Sequence, residues 1–447
     1  MEYPGSWFTK IYRRTFFALF LVLFFVLSPL IIMYALGYRY DVQNGLLRET
    51  SAISVDIEPE NTTTYLNELE VDNVMPVRLK NITPGKYHLR LSASGYYNFD
   101  KEINARSKQT VYIKEISLLQ KNEPTKISSE QVLVMSISPN GAYLVYARPE
   151  NDSYQISLLT IADNTVQKLS VPISGTPQIS WSENSAYFLI NAKEAPFESL
   201  WVLATSDPQA PWLVQPKNGP IAKAIWQNGS EPEIILGTET EILNARPIQK
   251  TITVIARNNF IDWYAENQKI WTIEKQTTDN KIYLIKDALG FSEKFAEIKI
   301  ESGQKSEELK ILQTKNDVAL LQNKPGQILI VANAKQSTVN ADNFMVSPFN
   351  NWWLFWTPWE LTTYSAGEEP YLQTRSGEGL RAVWPLDNFN TLGLVWGGRV
   401  EALFPYYSVG HNLLNSATDI TAVDSQNKIL YFSGKINDAS GIWKLKY

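Results

Sequence analysis

Between Thr15 and Leu36 the chain runs for 22 residues without a charge, and Phe, Leu, Val and Ile fill most of it. At ~1.5 Å rise per residue, a helix of that length crosses a ~30 Å hydrocarbon core. Each large apolar side chain favours insertion by roughly 0.3–0.6 kcal/mol. Lys10, Arg13 and Arg14 precede the run, while Arg39 and Asp41 after it nearly cancel. The positive-inside bias therefore predicts a cytoplasmic tail over residues 1–14, a transmembrane anchor over 15–36 and export of all that follows. A cleaved signal sequence has a shorter apolar stretch, about 7–15 residues, ending in a small-residue cleavage site. Here the run ends in Met33-Tyr34-Ala35-Leu36-Gly37-Tyr38, whose tyrosines suit the bilayer interface, so an uncleaved anchor is expected. Pro29 is tolerated inside a membrane helix.

Past the anchor the period changes. Residues 37–50 read as a polar connector. From residue 51, apolar and polar positions alternate, the pattern of a half-buried strand. Ala52-Ile53-Ser54-Val55-Asp56-Ile57 alternates up to Pro59, and Tyr87-His88-Leu89-Arg90-Leu91-Ser92 alternates after a turn expected at 81–86. Shorter strands are predicted at 64–67, 101–104 and 110–113. About six strands in about 70 residues predict a small β-sandwich over 51–120, with His88 exposed on it. Residues 121–129, which include Glu123-Pro124, read as a linker.

Residues 130–447 carry a repeat. Ser138-Pro139-Asn140-Gly141-Ala142-Tyr143-Leu144-Val145 recurs as Ser182-Glu183-Asn184-Ser185-Ala186-Tyr187-Phe188-Leu189, a turn between two apolar strands. Weaker echoes are Trp226-Gln227-Asn228-Gly229, Trp263-Tyr264-Ala265-Glu266-Asn267, Thr314-Lys315-Asn316-Asp317, Ser347-Pro348-Phe349-Asn350, Trp384-Pro385-Leu386-Asp387-Asn388 and Asp424-Ser425-Gln426-Asn427. A third apolar strand follows in several repeats, as in Leu200-Trp201-Val202-Leu203 and Ile442-Trp443-Lys444-Leu445. A period near ~40 residues with several strands per repeat predicts a β-propeller. One such sheet cannot bury both faces alone, whereas radial stacking buries them. The turn motifs allow seven or eight blades. The fold class is thus all-β apart from one N-terminal transmembrane helix.

Two resemblances attach to these motifs. Pro59-Glu60, Tyr65-Leu66, Met75-Pro76, Ile82 with Pro84-Gly85, the strand from Tyr87 to Leu91, and Gly95-Tyr96 follow the order of the PEGA domain. The name-giving tetrapeptide is degenerate here, Pro59-Glu60-Asn61-Thr62, and the usual Asp-Gly after the second strand is missing. The resemblance implies a non-enzymatic domain outside the membrane of a bacterial-type envelope. The first two long repeats resemble TolB-type and WD40-like propeller repeats.

Composition narrows the chemistry. A net charge of −5 and a pI near 5.4 offer no basic stripe for nucleic acid. With no Cys and only His88 and His411, thiolate and multi-histidine metal or catalytic sites are excluded. No G-x-S-x-G elbow, phosphate loop or D-x-[DN]-x-[DN]-G calcium loop occurs, and no motif singles out a catalytic pair among 46 acids. No cofactor, metal or catalytic residue is assigned. The densest local feature is Asn351-Trp352-Trp353-Leu354-Phe355-Trp356-Thr357-Pro358-Trp359. Alternation sends Trp353 and Phe355 to one face and Trp352, Leu354 and Trp356 to the other, both in the core. Trp359, after Pro358, is expected to leave the core as an aromatic contact for a ligand. Tyr406, Tyr407 and His411 are expected to line a similar loop surface. The expected function is a non-enzymatic, membrane-anchored binding or scaffolding protein of the bacterial cell envelope, with the propeller as recognition head. A propeller-fold hydrolase or lyase acting on envelope glycans is the alternative. Expected partners are the lipid bilayer at 15–36 and an envelope protein or glycan.

The flanking charges make a direct prediction. A reporter fused to the C-terminus is active only outside the cytoplasm, and the protein stays in the membrane fraction with its N-terminus intact. Soluble mature protein starting near Tyr38 would show a cleaved signal instead.

Overall fold

The computed structural model describes residues 6–41, 45–72, 74–151, 153–173, 175–192, 194–197, 200–227, 229, 231–257, 260–277, 279–288, 291–299, 306–332, 335–349, 351–375, 379–415 and 417–447. Residues 1–5 of the expected tail, 42–44 of the expected connector, and the repeat residues Asn228 and Asn350 lie outside them. The chain is mostly β, with one long N-terminal helix, and divides into two compact units, Met1–Lys121 and Asn122–Tyr447.

In the first unit the helix spans Ser6–Ala35. Its stretch Tyr12–Ala35, at a hydropathy of 2.9 and with none of it buried, has the length and apolarity of a membrane anchor or a signal sequence. It stops where Gly37 takes a left-handed φ of 84°, the usual glycine exit from a helix. The Arg39 guanidinium donates to the Tyr34 carbonyl at 2.7 Å and stacks 3.7 Å above the Tyr34 ring, placing a cation on the negative end of the helix. The stretch 37–50 is more ordered than a connector. Strands Tyr38–Asp41 and Leu46–Glu49 pair as a hairpin. Thr50 then ties back to the Gly37 carbonyl through both its N–H and its hydroxyl, at 2.9 Å each. Ser107, Lys108 and Tyr38 all hydrogen-bond the Glu49 carboxylate and hold its pKa down to about 2.

Two sheets follow. Ser51–Glu58 lies between Val77–Ile82, antiparallel, and Thr110–Ser117, parallel. Leu69–Asp72, Thr63–Leu66, Gly85–Ser92 and Phe99–Ala105 form the other. The alternation of Ser51–Glu58 is strict: Ile53, Val55 and Ile57 are buried. Leu89, Leu91 and Phe99 are buried on the second sheet. The turn expected at 81–86 is tighter than that. Both flanking strands run into it, because Asn81 accepts a positive φ of 60° and leaves only Thr83-Pro84 between them.

The second unit contains, among the described residues, eight four-stranded antiparallel sheets. The first seven span 134–169, 177–214, 223–257, 262–298, 310–340, 343–375 and 380–414, each hydrogen-bonded in chain order. The eighth is made of Ala417–Asp424, Ile429–Ile436 and Ala439–Lys446, completed by Thr125–Ser128. The stretch 121–129 is therefore no simple linker. Ile127 packs on the core of the eighth sheet, and that burial outweighs the turn-forming sequence around Pro124.

Successive sheets share cores. Val145 and Ile156 of the first pack with Phe188 and Ile190 of the second. Leu189 and Val202 of the second pack with Ile234 and Leu236 of the third. The same holds for the third and fourth, the fourth and fifth, and the fifth and sixth. Strand Trp352–Trp356 in the sixth divides as the alternation predicts. Trp353 and Phe355 face the fifth sheet, while Leu354 and Trp356 face the seventh. Tyr447 donates to the Leu386 carbonyl at 2.7 Å, joining the last residue to the seventh sheet. Finally, Leu144 and Tyr146 of the first sheet share a core with Tyr431 and Ile442 of the eighth.

Gly141 sits at the meeting of the first and eighth sheets. Its φ is +70°, and a Cβ there would collide with the Asp424 carboxylate and the Asn427 amide. Gly379 has the same φ of +70°, and no described residue lies within 4 Å of where a Cβ would stand. Gly379→Ala should therefore cost about 1–2 kcal/mol, the left-handed penalty alone. Gly141→Ala should cost about 1–3 kcal/mol more, from overpacking against the eighth sheet. Chemical denaturation of the two variants side by side measures the difference; equal losses would mean the first and eighth sheets do not meet there.

Candidate ligand-binding surfaces

Antiparallel strands alternate in direction. The turns between first and second strands therefore lie at one end of each sheet, together with the third-to-fourth connections. The second-to-third connections lie at the other end.

The first of these ends is built from the sequence repeat. Ser138 accepts from Tyr143 N through its hydroxyl at 2.9 Å, and Asn140 Oδ1 accepts from Ala142 N at 3.0 Å. Ser182, Tyr187, Asn184 and Ala186 reproduce the pattern at 3.0 and 3.0 Å. Serine and asparagine recur because their short side chains satisfy turn N–H groups that no strand can reach. Neighbouring turns then bond one another. Asn140 N donates to Ser185 Oγ at 3.0 Å, and Gln268 N to Gln227 Oε1 at 3.0 Å. Asn316 N donates to Glu266 Oε1 at 2.8 Å, Lys315 Nζ to the Ser347 carbonyl at 2.9 Å, and Ser425 Oγ to the Pro385 carbonyl at 3.2 Å. Five neighbouring pairs of these turns are thus bonded to each other along a polar rim. Buried at its base, Asp387 accepts from Phe389 N and Thr391 N at 2.9 and 3.0 Å, and burial raises its pKa.

At the other end, Lys223 and Asp262 start the first strands of the third and fourth sheets, and Ile311 is the second residue of the first strand of the fifth. Lys223 Nζ lies 3.0 and 2.9 Å from the two Asp262 oxygens and also donates to the Trp263 and Ile311 carbonyls at 2.7 and 3.2 Å. Asp262 accepts from Ile311 N at 2.6 Å as well. Burial pushes the Lys223 pKa down, against the pull of Asp262. Both carboxylate oxygens are engaged, by Lys223 of the third sheet and Ile311 of the fifth, so the pair clamps three sheets together. Sequence reading missed it because one Lys and one Asp 39 residues apart carry no local signal.

The four residues expected to touch a ligand do not come together. Trp359 lies on a second-to-third connection, 55% exposed, with its N–H on Thr357 Oγ1 at 3.2 Å. Tyr406 and Tyr407 lie on a third-to-fourth connection, at the rim end. Tyr406 is 86% exposed, but Tyr407 is buried, with the two rings edge to face at 5.0 Å. His411 is not in a loop. It belongs to strand Val409–Leu414, opposite Ala402 and edge-on to Phe404 at 6.0 Å. The Ser408-Val409-Gly410 sequence suggests a loop, but Ser408 alone takes the positive φ, 53°, and the strand starts directly after it. His88 is half-exposed on its strand, 3.2 Å from Glu68. Among the described residues no three His, Asp or Glu converge as a metal site.

Residues 50–120 match the PEGA domain family. No curated protein matches the chain. Among solved structures, the β-propeller domain of Myceliophteria thermophila Cps50 (Swd1) is similar at 10% identity over 73% of this chain and 99% of that one, with a TM-score of 0.42. The Dos1 propeller is similar at 10% identity over 73% and 95%, with a TM-score of 0.46. U3-55K is similar at 8% identity over 71% and 95%, with a TM-score of 0.41.

The Lys223 and Asp262 side chains are 25% and 17% exposed, so replacing one leaves the other charge unpaired and only partly hydrated. Lys223→Met should destabilise the protein by about 1–3 kcal/mol, less than for a fully buried pair, and the double variant Lys223→Met/Asp262→Leu should recover part of that loss. Denaturant midpoints of the singles and the double settle it: a single-variant loss under ~1 kcal/mol would show that the pair is not a clamp.

Proposed function

We propose that this chain is a membrane-anchored binding or scaffolding protein that works outside the cytoplasmic membrane of a bacterial-type envelope. The helix within 15–36 is the uncleaved anchor, the PEGA sandwich at 51–120 is a spacer, and residues 122–447 are a TolB-like, eight-bladed propeller serving as recognition head. One observation carries this reading: cores are shared from sheet to sheet and again between the first and the eighth. Stacking of that kind uses both faces of each sheet for stability and leaves the connections for contact. Loops held still by such a scaffold are where recognition concentrates.

Trp359 is the contact we propose first. Pro358 before it lacks an N–H, which ends ladder pairing, while the Pro358 carbonyl is held by Leu380 N at 2.6 Å. The indole is thus presented on a fixed backbone, as an aromatic anchor requires. The partner class is an envelope protein or glycan.

Trp359→Ala should leave the melting temperature nearly unchanged and weaken partner capture from membrane extracts by about 1–3 kcal/mol. Trp353→Ala, which empties a shared core, should cost roughly 3–5 kcal/mol of folding stability. If both variants destabilise alike and capture follows only the folded fraction, Trp359 is not a contact.

A further inference from the structure

The hairpin that follows the helix is a sheet of its own. Tyr38–Asp41 and Leu46–Glu49 pair with each other and, among the described residues, with no further strand. A two-stranded hairpin is at best marginally stable in water and needs something packed against it. Its apolar side chains stand largely in the open: Tyr40, Leu46 and Leu47 are 64%, 67% and 50% exposed. Tyr40 lies opposite Leu47 in the ladder, so the two share one face, with Leu46 on the other.

Thr50 sets the direction in which the hairpin points. Its N–H donates to the Gly37 carbonyl at 2.9 Å, extending the hairpin ladder. Its carbonyl accepts from Lys108 N at 2.8 Å, extending the ladder between Ser51–Glu58 and Thr110–Ser117. Thr50 thus joins Leu46–Glu49 to Ser51–Glu58 as one extended run, with the hairpin on one side of it and the sandwich on the other. The helix exit lies at the same level, since a Cβ on Gly37 would stand 3.5 Å from Lys108 Cα. The closed end of the hairpin therefore runs from the helix exit in the direction opposite to the sandwich. With the sandwich outside the bilayer, that direction is toward the lipid. Arg39 agrees with it, reaching back to the carbonyl and ring of Tyr34, so that the strand passes beside the last turn of the helix.

The depth follows from strand geometry. At ~3.3 Å rise per residue, Tyr40 and Leu47 lie about 10 Å past Gly37 on that side. The headgroup layer on each side of the hydrocarbon core is about 5–7 Å deep. The pair thus reaches the boundary between headgroups and acyl chains. The hairpin goes no deeper, because its two outer edges carry backbone groups that hydrocarbon leaves unsatisfied.

We propose that this hairpin is a second membrane contact, with Tyr40, Leu46 and Leu47 seated at the headgroup–acyl boundary of the outer leaflet beside the end of the helix. The proposal rests on the anchor reading above and concerns a different part of the chain. Lipid is the occupant because Thr50 and Arg39 fix the hairpin to the helix exit, and lipid surrounds that exit. Tyrosine suits the position, its ring among acyl chains and its hydroxyl among headgroups. Contact at two points, helix and hairpin, fixes the tilt of the sandwich over the bilayer, where a helix alone would let it swivel.

The chain has no Cys, so single introduced cysteines report without interference. The test places the full chain in phosphatidylcholine nanodiscs with a fluorophore at Leu47→Cys, at Phe24→Cys in the middle of the helix, or at Val74→Cys. Val74 is 65% exposed and lies toward the end of the sandwich away from the helix. Nitroxide-bearing lipids should quench the Leu47 label at least threefold more than the Val74 label, and best when the nitroxide sits high on the acyl chain. The Phe24 label should be quenched best by a nitroxide near the chain end. Leu46→Cys is the second reporter should Leu47→Cys disturb the hairpin. Equal quenching at Leu47 and Val74, with the Phe24 label in lipid, would overturn the proposal and leave the anchor standing. A Leu47 label shielded from water yet untouched by the lipid nitroxides would overturn it as well, by putting a protein on the hairpin. A Phe24 label outside lipid would remove the anchor reading itself, and this proposal with it.

Discussion

Each four-stranded sheet of the second unit is apolar on both faces, and that constraint organises everything built on it. Strand Trp352–Trp356 shows it most directly. Five consecutive large side chains divide between two cores, Trp353 and Phe355 into one, Leu354 and Trp356 into the other. No sheet of this kind is stable by itself, since one of its faces would be left in water. Each needs a neighbour to cover it, and the first sheet packs on the eighth as well as on the second, as Leu144 and Tyr431 show. Hydrophobic burial supplies the force, but polar contacts fix the angle. The serine and asparagine turns bond from sheet to sheet at one end, and Lys223 with Asp262 binds three first strands at the other.

That division of labour explains what the sequence makes legible. Period-two alternation and the Ser-x-Asn turn are local signals, set by pleat geometry and by turn N–H groups that need an acceptor. They locate the strands of the small domain and the two strong repeats, while the uncharged apolar run locates the N-terminal helix. The split of the Trp352–Trp356 strand is equally local. Other features depend on residues far apart. Thr125–Ser128 reads as linker because its partner is the strand Ala439–Lys446. Tyr407 reads as a surface residue because nothing nearby announces the packing that buries it, and His411 reads as a loop residue because its ladder partner is known only once the sheet is formed. The Lys223 clamp is invisible for the same reason, being assembled from sheets whose neighbours sequence does not name.

At the exit of the helix, the Tyr34 and Gly37 carbonyls and the Glu49 carboxylate are taken up by Arg39, Thr50 and Lys108, and together they fix the chain as it leaves.

The eighth sheet has a consequence for the order of folding. Asn122 donates to the carbonyl of Lys446, 324 residues later, and Thr125–Ser128 pairs beside it. Contacts of such separation carry a large loop-closure entropy and slow folding. A growing chain makes Thr125–Ser128 among the first parts of this unit, and that strand has nothing to pair with until the final thirty or so residues arrive. For that whole interval it is an unpaired edge, and the first sheet presents Leu144 and Tyr146 to solvent. The long wait is when the molecule is most open to pairing with a second copy of itself.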